Sequence, residues 1–449
     1  MPIKKPVRGY KHVEVVEVYL WGKMMGAVAM DPALGYYVFA YTPEFLAEGV
    51  EPAPLQMPTG KGPVFIFPDL AAETFKRLPA MLSDALPDDF GNALINRFMA
   101  DKGIFSANVT ALDRLAYMGS RAMGALEFKP PRGPGAGKST SIVLSQLVQE
   151  ARKAVAGTLE DDAHANAALR SIIDVGTSAG GARAKAVIAW NRTTNEIRAG
   201  QINAPEGFEY WLLKFDGMGL DNELGASADY GRIEYAYHLM AKQAGISMME
   251  CRLLHENGRS HFMTKRFDRE DDGTRHHVQT LCAMSHLDYK RKSTNSYAQY
   301  FGAIDSLALP YGQKEEAFRR MVFNVMARNC DDHAKNFSFR LRKGHGWELA
   351  PGYDITFAHN PAGEWTNQHL MSVNGKFKNI EESDLLEVAD RFAIGTVKSV
   401  IGKVRKSINE WPIFAEAAGI PVTLAQGIQD QFSTLDGPSG LTAYPRLRS

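Results

Sequence analysis

The feature that most constrains this chain is the polar segment from Ala327 to Ser338, which reads Ala-Arg-Asn-Cys-Asp-Asp-His-Ala-Lys-Asn-Phe-Ser. Apolar residues at helical spacing lead into it and predict a helix that ends there: Phe318, Met321, Val322, Val325 and Met326. An alternating apolar run at 337–341 follows, and then a glycine-containing turn and a short strand-like run at 347–349. We therefore expect a helix, a loop, a hairpin and a second loop in close succession.

Three side chains of this unit are suited to holding a metal ion: Asp331, Asn336 and Asp354, in company with a histidine of the same loop. Asp331 and Asn336 are five positions apart, the spacing between the base and the second magnesium ligand in a protein-kinase catalytic loop. Asp354 lies one hairpin further on, where a kinase-like site keeps its other metal-binding carboxylate. A lone Asp in a polar loop more often caps a helix or turn. Because several such groups share one unit, we favour phosphoryl transfer.

Composition excludes several other classes of protein. The 449 residues are 45% hydrophobic and 23% charged, as in soluble globular proteins with more than one core. Lys plus Arg equals Asp plus Glu at 51 each, which gives no general electrostatic case for binding nucleic acid or a membrane. The three cysteines are widely spaced, which argues against a disulfide framework or structural zinc site. Without a signal peptide or a run of roughly 18 apolar residues, we expect a cytoplasmic protein.

A second glycine-rich segment, Pro130 to Thr140, contains Gly137-Lys138-Ser139, which looks like the end of a phosphate-binding P-loop. The first glycine of that motif would fall at position 132, which is Arg. Two prolines interrupt the segment and no buried strand leads into it. We therefore interpret it as a linker or surface turn.

A better candidate for a phosphate-binding loop runs from Asp174 to Lys185 and leads into a strand-like run. Small residues let the backbone approach a phosphate, although glycine-rich turns are more often plain hairpins. The next strand, 209–215, places Lys214 among apolar neighbours, where a buried ammonium needs a partner. Either Lys214 reaches solvent from an edge strand, or it contacts a nucleotide phosphate and is held by Glu234 of the following predicted helix.

A hairpin is predicted next, with strands at 250–255 and 261–267 and a primed turn at Asn257-Gly258. In a kinase-like lobe, the end of the second strand is the hinge that holds the nucleotide base. His276 and His277 follow closely, but no other ligand stands at metal-site spacing, so we expect both to be surface residues.

Taken together, these segments resemble the HipA family of bacterial serine/threonine kinase toxins. The resemblance spans nearly the whole chain and rests on these stretches: 112–116, 124–128, 178–185, 265–269, 329–336 and Tyr353-Asp354. The last three are specific when found in this order, and the glycine-rich loop is less so. Cys330 stands where another small or polar residue is commoner in the family.

The resemblance implies a role for each matching residue. Asp331 would orient the substrate hydroxyl and accept its proton, Asn336 and Asp354 would hold Mg²⁺, and Lys214 would contact the phosphates of ATP. Ser178 would be a site of autophosphorylation, which ejects its loop and disables ATP binding. The remaining nucleotide-binding positions would be Ala179, Gly180, Gly181, Ala182, Arg183, Lys185, the hinge residues Lys265, Arg266 and Phe267, and His333 and Lys335.

The implied fold is α+β and protein-kinase-like, with two lobes, a β-rich N-terminal subdomain and a mostly helical C-terminal lobe. We expect these divisions: an N-terminal subdomain at 1–130, a linker and helix at 131–170, a kinase-like N-lobe at 171–270 and a helical C-lobe at 271–449.

The implied function is an ATP- and Mg²⁺-dependent protein kinase that acts as the toxin of a toxin–antitoxin module. Its substrate would be a translation protein, typically an aminoacyl-tRNA synthetase. Its regulator would be a helix-turn-helix antitoxin, through which any contact with DNA would mainly be made. The alternative is a catalytically silent nucleotide-binding co-repressor, and the presence of Asp331, Asn336, Asp354 and Lys214 argues against it.

Overall fold

The structure, a computed structural model, describes residues 10–87, 89–133, 142–155, 184–201, 203–217 and 229–435. The described residues fall into two compact units. The first comprises residues up to 210 together with 268–277, and the second comprises 211–267 together with 278 onward.

An antiparallel five-stranded sheet forms the centre of the first unit, in the order β4-β3-β2-β1-β5. In β1, one of the inner strands of the sheet, the alternate residues Val16, Val18 and Leu20 are buried, because successive side chains of a strand point to opposite faces. Gly22, at φ 78°, takes the left-handed conformation that the turn into β2 requires. The strands are β1 Val15–Leu20, β2 Lys23–Asp31, β3 Tyr36–Tyr41, β4 Val64–Phe65 and β5 Leu126–Lys129.

Helices pack on this sheet and are fixed by local caps. In α5, Thr110 and Asp113 form a capping box, and the buried Asp113 also accepts a hydrogen bond from the backbone of Val13 over 3.0 Å. The helices of the unit are α1 Pro43–Leu46, α2 Ala72–Phe75, α3 Ala80–Asp84, α4 Asp89–Ala100, α5 Ala111–Met118 and α6 Leu144–Val155. The helix predicted within residues 131–170 is thus present as α6, and residues 156–170 lie outside the described residues.

The expectation that His276 and His277 are surface residues is wrong. Both are buried, because residues 268–277 return to the first unit. His277 Nε2 donates to the carbonyl of Pro52 over 2.9 Å, and burial lowers the pKa of His277 to about 4. The neighbouring Arg275 donates to the carbonyls of Gly124, Ala122 and Leu126. Long-range contacts of this kind leave no periodic signal in the sequence.

The next strands along the chain, within residues 185–265, are divided between the two units. In the first unit, β6 Lys185–Trp190 pairs with β7 Ile197–Ala199. In the second, β10 Arg259–Lys265 pairs antiparallel with β9 Cys251–Glu256 and with β8, which spans Glu209–Lys214. Asn257 at φ 44° and Gly258 at φ 77° form the β9–β10 turn, as the primed turn type requires.

The rest of the second unit is mostly helical, as predicted. Its aromatic core places Tyr237, Trp411 and Phe432 in edge-to-face contact. The helices are α7 Tyr230–Gln243, α8 Leu281–Met284, α9 Tyr297–Ser306, α10 Tyr311–Met326, α11 Glu382–Arg391, α12 Val397–Asn409, α13 Trp411–Ala417 and α14 Val422–Gln429. The short strands are β11 His277–Thr280, β12 Asn295–Ser296, β13 Ser338–Leu341, β14 Trp347–Leu349 and β15 Met371–Ser372. Among the described residues, none of the helices has the length and apolar character needed to cross a membrane.

Candidate functional site

The polar segment singled out in the sequence is a loop in the second unit, between the end of α10 and the start of β13. Its side chains alternate between the protein interior and the surface. Cys330 and Asp332 are buried, whereas Asp331 and His333 are partly exposed. An extended chain points successive side chains to opposite sides, so this loop has one inward and one outward face.

Asp332 anchors the inward face. Its Oδ2 accepts from the Tyr297 hydroxyl over 2.8 Å and from His369 Nδ1 over 2.9 Å. Its Oδ1 accepts from the backbone N–H of Leu370 over 2.7 Å. The Tyr297 hydroxyl in turn accepts from Asn324 Nδ2 of α10 over 3.0 Å. A buried carboxylate with several donors fixes the backbone on either side of it.

On the outward face, the Asp331 side chain is 48% exposed, and its Oδ1 lies 3.7 Å from His333 Nε2. Asn336 closes the loop, because its Nδ2 donates to the carbonyl of Asp331 over 2.7 Å. A 3₁₀ turn at Ala334–Asn336 makes that approach possible. With its nitrogen committed in this way, the Asn336 amide presents its oxygen as an acceptor.

Lys214, at the end of β8, has the carboxylate partners that its buried setting requires. Its Nζ donates to Glu234 Oε1 of α7 over 2.5 Å and also to Asp354 Oδ1. Burial on its own lowers the pKa of Lys214, but the carboxylates of Asp354 and Glu234 outweigh it and raise the pKa above its ordinary value. Lys214 is therefore an ammonium ion shared between two carboxylates, one of them the predicted metal ligand.

The predicted hinge residues, 265–267, lie at the end of β10 and directly after it. Lys265, the last residue of β10, donates its backbone N–H to the carbonyl of Glu250 over 2.8 Å, and Arg266 is buried. The carbonyl of Phe267 accepts from Arg340 Nη1 of β13 over 2.8 Å. The contact with Arg340 attaches the segment to the β13–β14 hairpin, which directly follows the Asp331–Asn336 loop.

Tyr353 is a member of the site that the sequence reasoning gave no role. Its hydroxyl donates to the carbonyl of Lys335 over 2.7 Å and accepts from Ser338 Oγ over 2.5 Å. Its ring stacks on Phe267 with the centroids 5.5 Å apart. Its place directly before Asp354 was the one available signal, since a residue next to a predicted metal ligand is well placed to orient it.

Tyr289 was also missed, and no motif marks it. Its ring centroid lies 5.3 Å from that of His333, and Lys335 Nζ lies 5.2 Å from the Tyr289 centroid. The Tyr289 ring thus contacts His333 and Lys335, two of the partly exposed side chains of the loop.

Most of the predicted phosphate-binding loop lies outside the described residues. Ser178, Ala179, Gly180, Gly181, Ala182 and Arg183 lie outside the described residues, as does the Gly137-Lys138-Ser139 segment. Lys185 is the first residue of β6 and is buried within the first unit.

The donor set of the second unit fits a magnesium ion. Asn336 offers an amide oxygen and Asp354 a carboxylate, and Mg²⁺ prefers a few oxygen ligands of this kind together with phosphate and water. Within the described ranges, no group of three or more His, Cys, Asp and Glu residues suits a metal.

Comparison with known families gives two matches. The model described as "HipA-like C-terminal domain" matches residues 177–411, and that of the "HipA N-terminal domain" matches residues 16–129. The first covers more than half of the chain. No curated protein sequence is significantly similar to this one.

Among solved structures, the chain is similar to one in the complex of the Shewanella oneidensis MR-1 toxin–antitoxin system HipA, HipB and its operator DNA. The TM-score is 0.67 at 17% identity, over 93% of this chain and 95% of that chain. A proinflammatory kinase of Helicobacter pylori, CtkA, matches at a TM-score of 0.34 and 14% identity, over 56% of this chain and 90% of that one. The first likeness confirms the predicted α+β, kinase-like fold class.

Proposed function

This chain belongs to the HipA family, and on that premise we propose that it is an ATP- and Mg²⁺-dependent serine/threonine protein kinase. The observation that carries the proposal is the position of Lys214. It is paired with Glu234 and Asp354 within the same unit that holds the Asp331–Asn336 loop. Base, metal ligands and phosphate-binding lysine are the minimum set for phosphoryl transfer, which depends mainly on positioning and charge neutralisation.

Each residue then has a defined task. Asp331, exposed on the outward face of its loop, accepts the proton of the substrate hydroxyl. Lys214 contacts the phosphates of the nucleotide, and Lys265, Arg266 and Phe267 border its base. Asn336 and Asp354 hold the magnesium ion, which when bound neutralises the charge that builds up on the phosphates.

The substrate and partners are proposed from the family and from the complex to which the chain is similar. We infer a toxin of a toxin–antitoxin module, with a helix-turn-helix antitoxin as partner and DNA contacted mainly through that antitoxin. A translation protein, typically an aminoacyl-tRNA synthetase, is the proposed substrate. Ser178 is the proposed site of autophosphorylation, since a phosphate there would repel the phosphates of ATP.

The decisive experiment is incubation with ATP and Mg²⁺, followed by intact-mass measurement and peptide mapping, for the wild type and Asp331→Asn. We expect a phosphate on Ser178 of the wild type and none on the variant. Candidate synthetases are tested in the same assay. If the wild type binds nucleotide but modifies neither itself nor any candidate, the silent co-repressor becomes the better description.

Nucleotide binding provides a second test, measured by calorimetry with a non-hydrolysable ATP analogue. We expect Lys214→Met to abolish binding and Lys138→Ala to leave it unchanged. The opposite result would assign the phosphates to the segment around Lys138.

A further inference from the structure

His369 lies behind the catalytic loop, in the stretch that leads into β15, and is 1% exposed. Its ring contacts two residues of the loop. Nδ1 is 2.9 Å from Asp332 Oδ2, and Nε2 is 3.9 Å from Cys330 Sγ. Cys330 and Asp332 are the two chain neighbours of Asp331.

We propose that His369 is a positioning residue for Asp331, holding the proposed base in place by binding the residues on both sides of it. The inference rests on the proposed kinase function. His369 does not reach the substrate itself. It acts by fixing the inward face of the loop, and thereby the direction in which the outward Asp331 carboxylate points.

The anchor is itself well fixed. The backbone N–H of His369 donates to the carbonyl of Phe377 over 2.8 Å, and the next two residues, Leu370 and Met371, point their N–H groups at Asp332 Oδ1. Asp332 thus accepts hydrogen bonds from the His369 ring and from backbone N–H groups of the same segment. A loop held from a rigid neighbouring segment keeps a narrower range of geometries than a loop held by its own turns.

Charge strengthens the arrangement. Burial on its own lowers the pKa of His369, but the adjacent Cys330 and Asp332 outweigh it and raise the pKa to about 10. The imidazolium then donates from both ring nitrogens. Besides those two residues, the groups nearby are the Tyr297 hydroxyl, which shares Asp332 Oδ2, and His359, whose own pKa is lowered by burial and, among weaker causes, by His369.

Two substitutions distinguish the contact of His369 with Asp332 from its contact with Cys330. In His369→Asn the amide nitrogen can take the place of Nδ1 and keep the bond to Asp332. In His369→Gln it can take the place of Nε2 and keep the contact with Cys330. His369→Ala removes both. We expect kcat to fall about 100-fold in the alanine variant, the size of loss that follows from a misplacement of about 1 Å, with KM for ATP within about twofold.

The asparagine variant should retain more activity than the glutamine variant, because the bond to Asp332 is the shorter one. Trp411→Phe is the matched control for lost stability. That side chain is buried in α13 and donates to the carbonyl of Ala425, which is not a residue of the loop. If His369 had a purely structural role, activity would fall in proportion to the melting temperature in the three His369 variants and in Trp411→Phe alike.

Amide hydrogen exchange over residues 328–337 is measured in parallel, since it does not depend on catalysis. Faster exchange there in His369→Ala, together with the selective loss of kcat, supports the proposal. A kcat within twofold of wild type, or a loss equalled by Trp411→Phe at the same drop in melting temperature, overturns it. If the wild type itself transfers no phosphate, the proposed function fails. In that case hydrogen exchange alone tests the positioning role of His369, and an unchanged exchange rate over residues 328–337 in His369→Ala overturns the proposal.

Discussion

Asp331 and Asp332 are adjacent, identical in type and opposite in environment. The side chain of Asp331 is 48% exposed, whereas that of Asp332 is fully buried. Asp332 has the Tyr297 hydroxyl, the His369 ring and two backbone N–H groups as donors. The comparison shows that one loop can divide its work by face. The buried carboxylate of Asp332 is committed to the fold, and the half-exposed carboxylate of Asp331 is the one we propose as the base.

A third carboxylate extends the comparison. Asp216 is buried just after β8, and burial raises its pKa to about 6 even though the backbone N–H of Gly231, in the first turn of α7, acts in the opposite direction. No cation is among the causes of the Asp216 shift, whereas Asp332 Oδ2 lies 2.9 Å from Nδ1 of the His369 ring. Burial alone therefore does not define the role of a carboxylate, and its donors do.

The largest effect is expected from Asp331→Asn. An amide cannot accept the substrate proton, so phosphoryl transfer should fall about 10³-fold or more, the size usually lost with a general base. Single-turnover kinetics, with Ser178 of the protein itself or a synthetase identified in the assay proposed above as the substrate, would measure this loss. Because the side chain is half exposed, the urea midpoint should stay at the wild-type value. A variant with more than a tenth of wild-type activity would remove Asp331 from the role of base.

Asp332→Ala should instead act on the fold. It leaves a buried imidazolium and several donors without their acceptor, which costs about 3–5 kcal/mol of unfolding free energy. Urea unfolding followed by tryptophan fluorescence measures this loss. Asp331→Ala is the control and should change the unfolding free energy by less than about 0.5 kcal/mol. Equal losses in the two variants would contradict the division by face.

Asp216 should make the free energy of unfolding fall as pH rises, which is opposite to the usual effect of a carboxylate in a folded protein. Its folded-state pKa of about 6 is higher than the value of 3.8 expected in the unfolded chain, so folding favours the protonated form. The contribution is fully present below pH 4 and is lost as pH rises to about 6, by up to about 3 kcal/mol at about 1.4 kcal/mol per pKa unit. Asp216→Asn should therefore stabilise the protein at pH 7 relative to wild type, and the gain should vanish near pH 4. An unchanged difference across that range would contradict the shift.

Tyr353→Phe should have the smallest effect. It removes the bonds to the Lys335 carbonyl and to Ser338 but keeps the ring against Phe267, so we expect a loss of about 1 kcal/mol in unfolding free energy. Ser338→Ala removes only one of those bonds and serves as the control. Thermal unfolding of both variants ranks the two contacts, and a larger loss in Ser338→Ala would reverse the assignment.

Sequence reasoning located the loop, the hairpin and the lysine strand because each has a local signature. Polar clusters interrupt apolar periodicity, an Asn-Gly pair specifies a primed turn, and a lysine among apolar residues demands a partner. Glu234 was named as that partner because the next predicted helix carried it. Tyr353 and Tyr289 were given no role, because a tyrosine near a motif has no spacing rule that separates an anchor from a core residue.

By itself, then, the sequence determined the order of elements, the spacing of Asp331, Asn336 and Asp354, and the resemblance to a family. All of these are properties of near neighbours along the chain or of motifs that retain their order. Only the tertiary structure decided that Lys214 binds Asp354 as well as Glu234, that His277 is buried against Pro52, and that His369 contacts both neighbours of Asp331. Those contacts join residues that are distant along the chain. Packing creates them, and no local pattern of residues records which distant groups will meet.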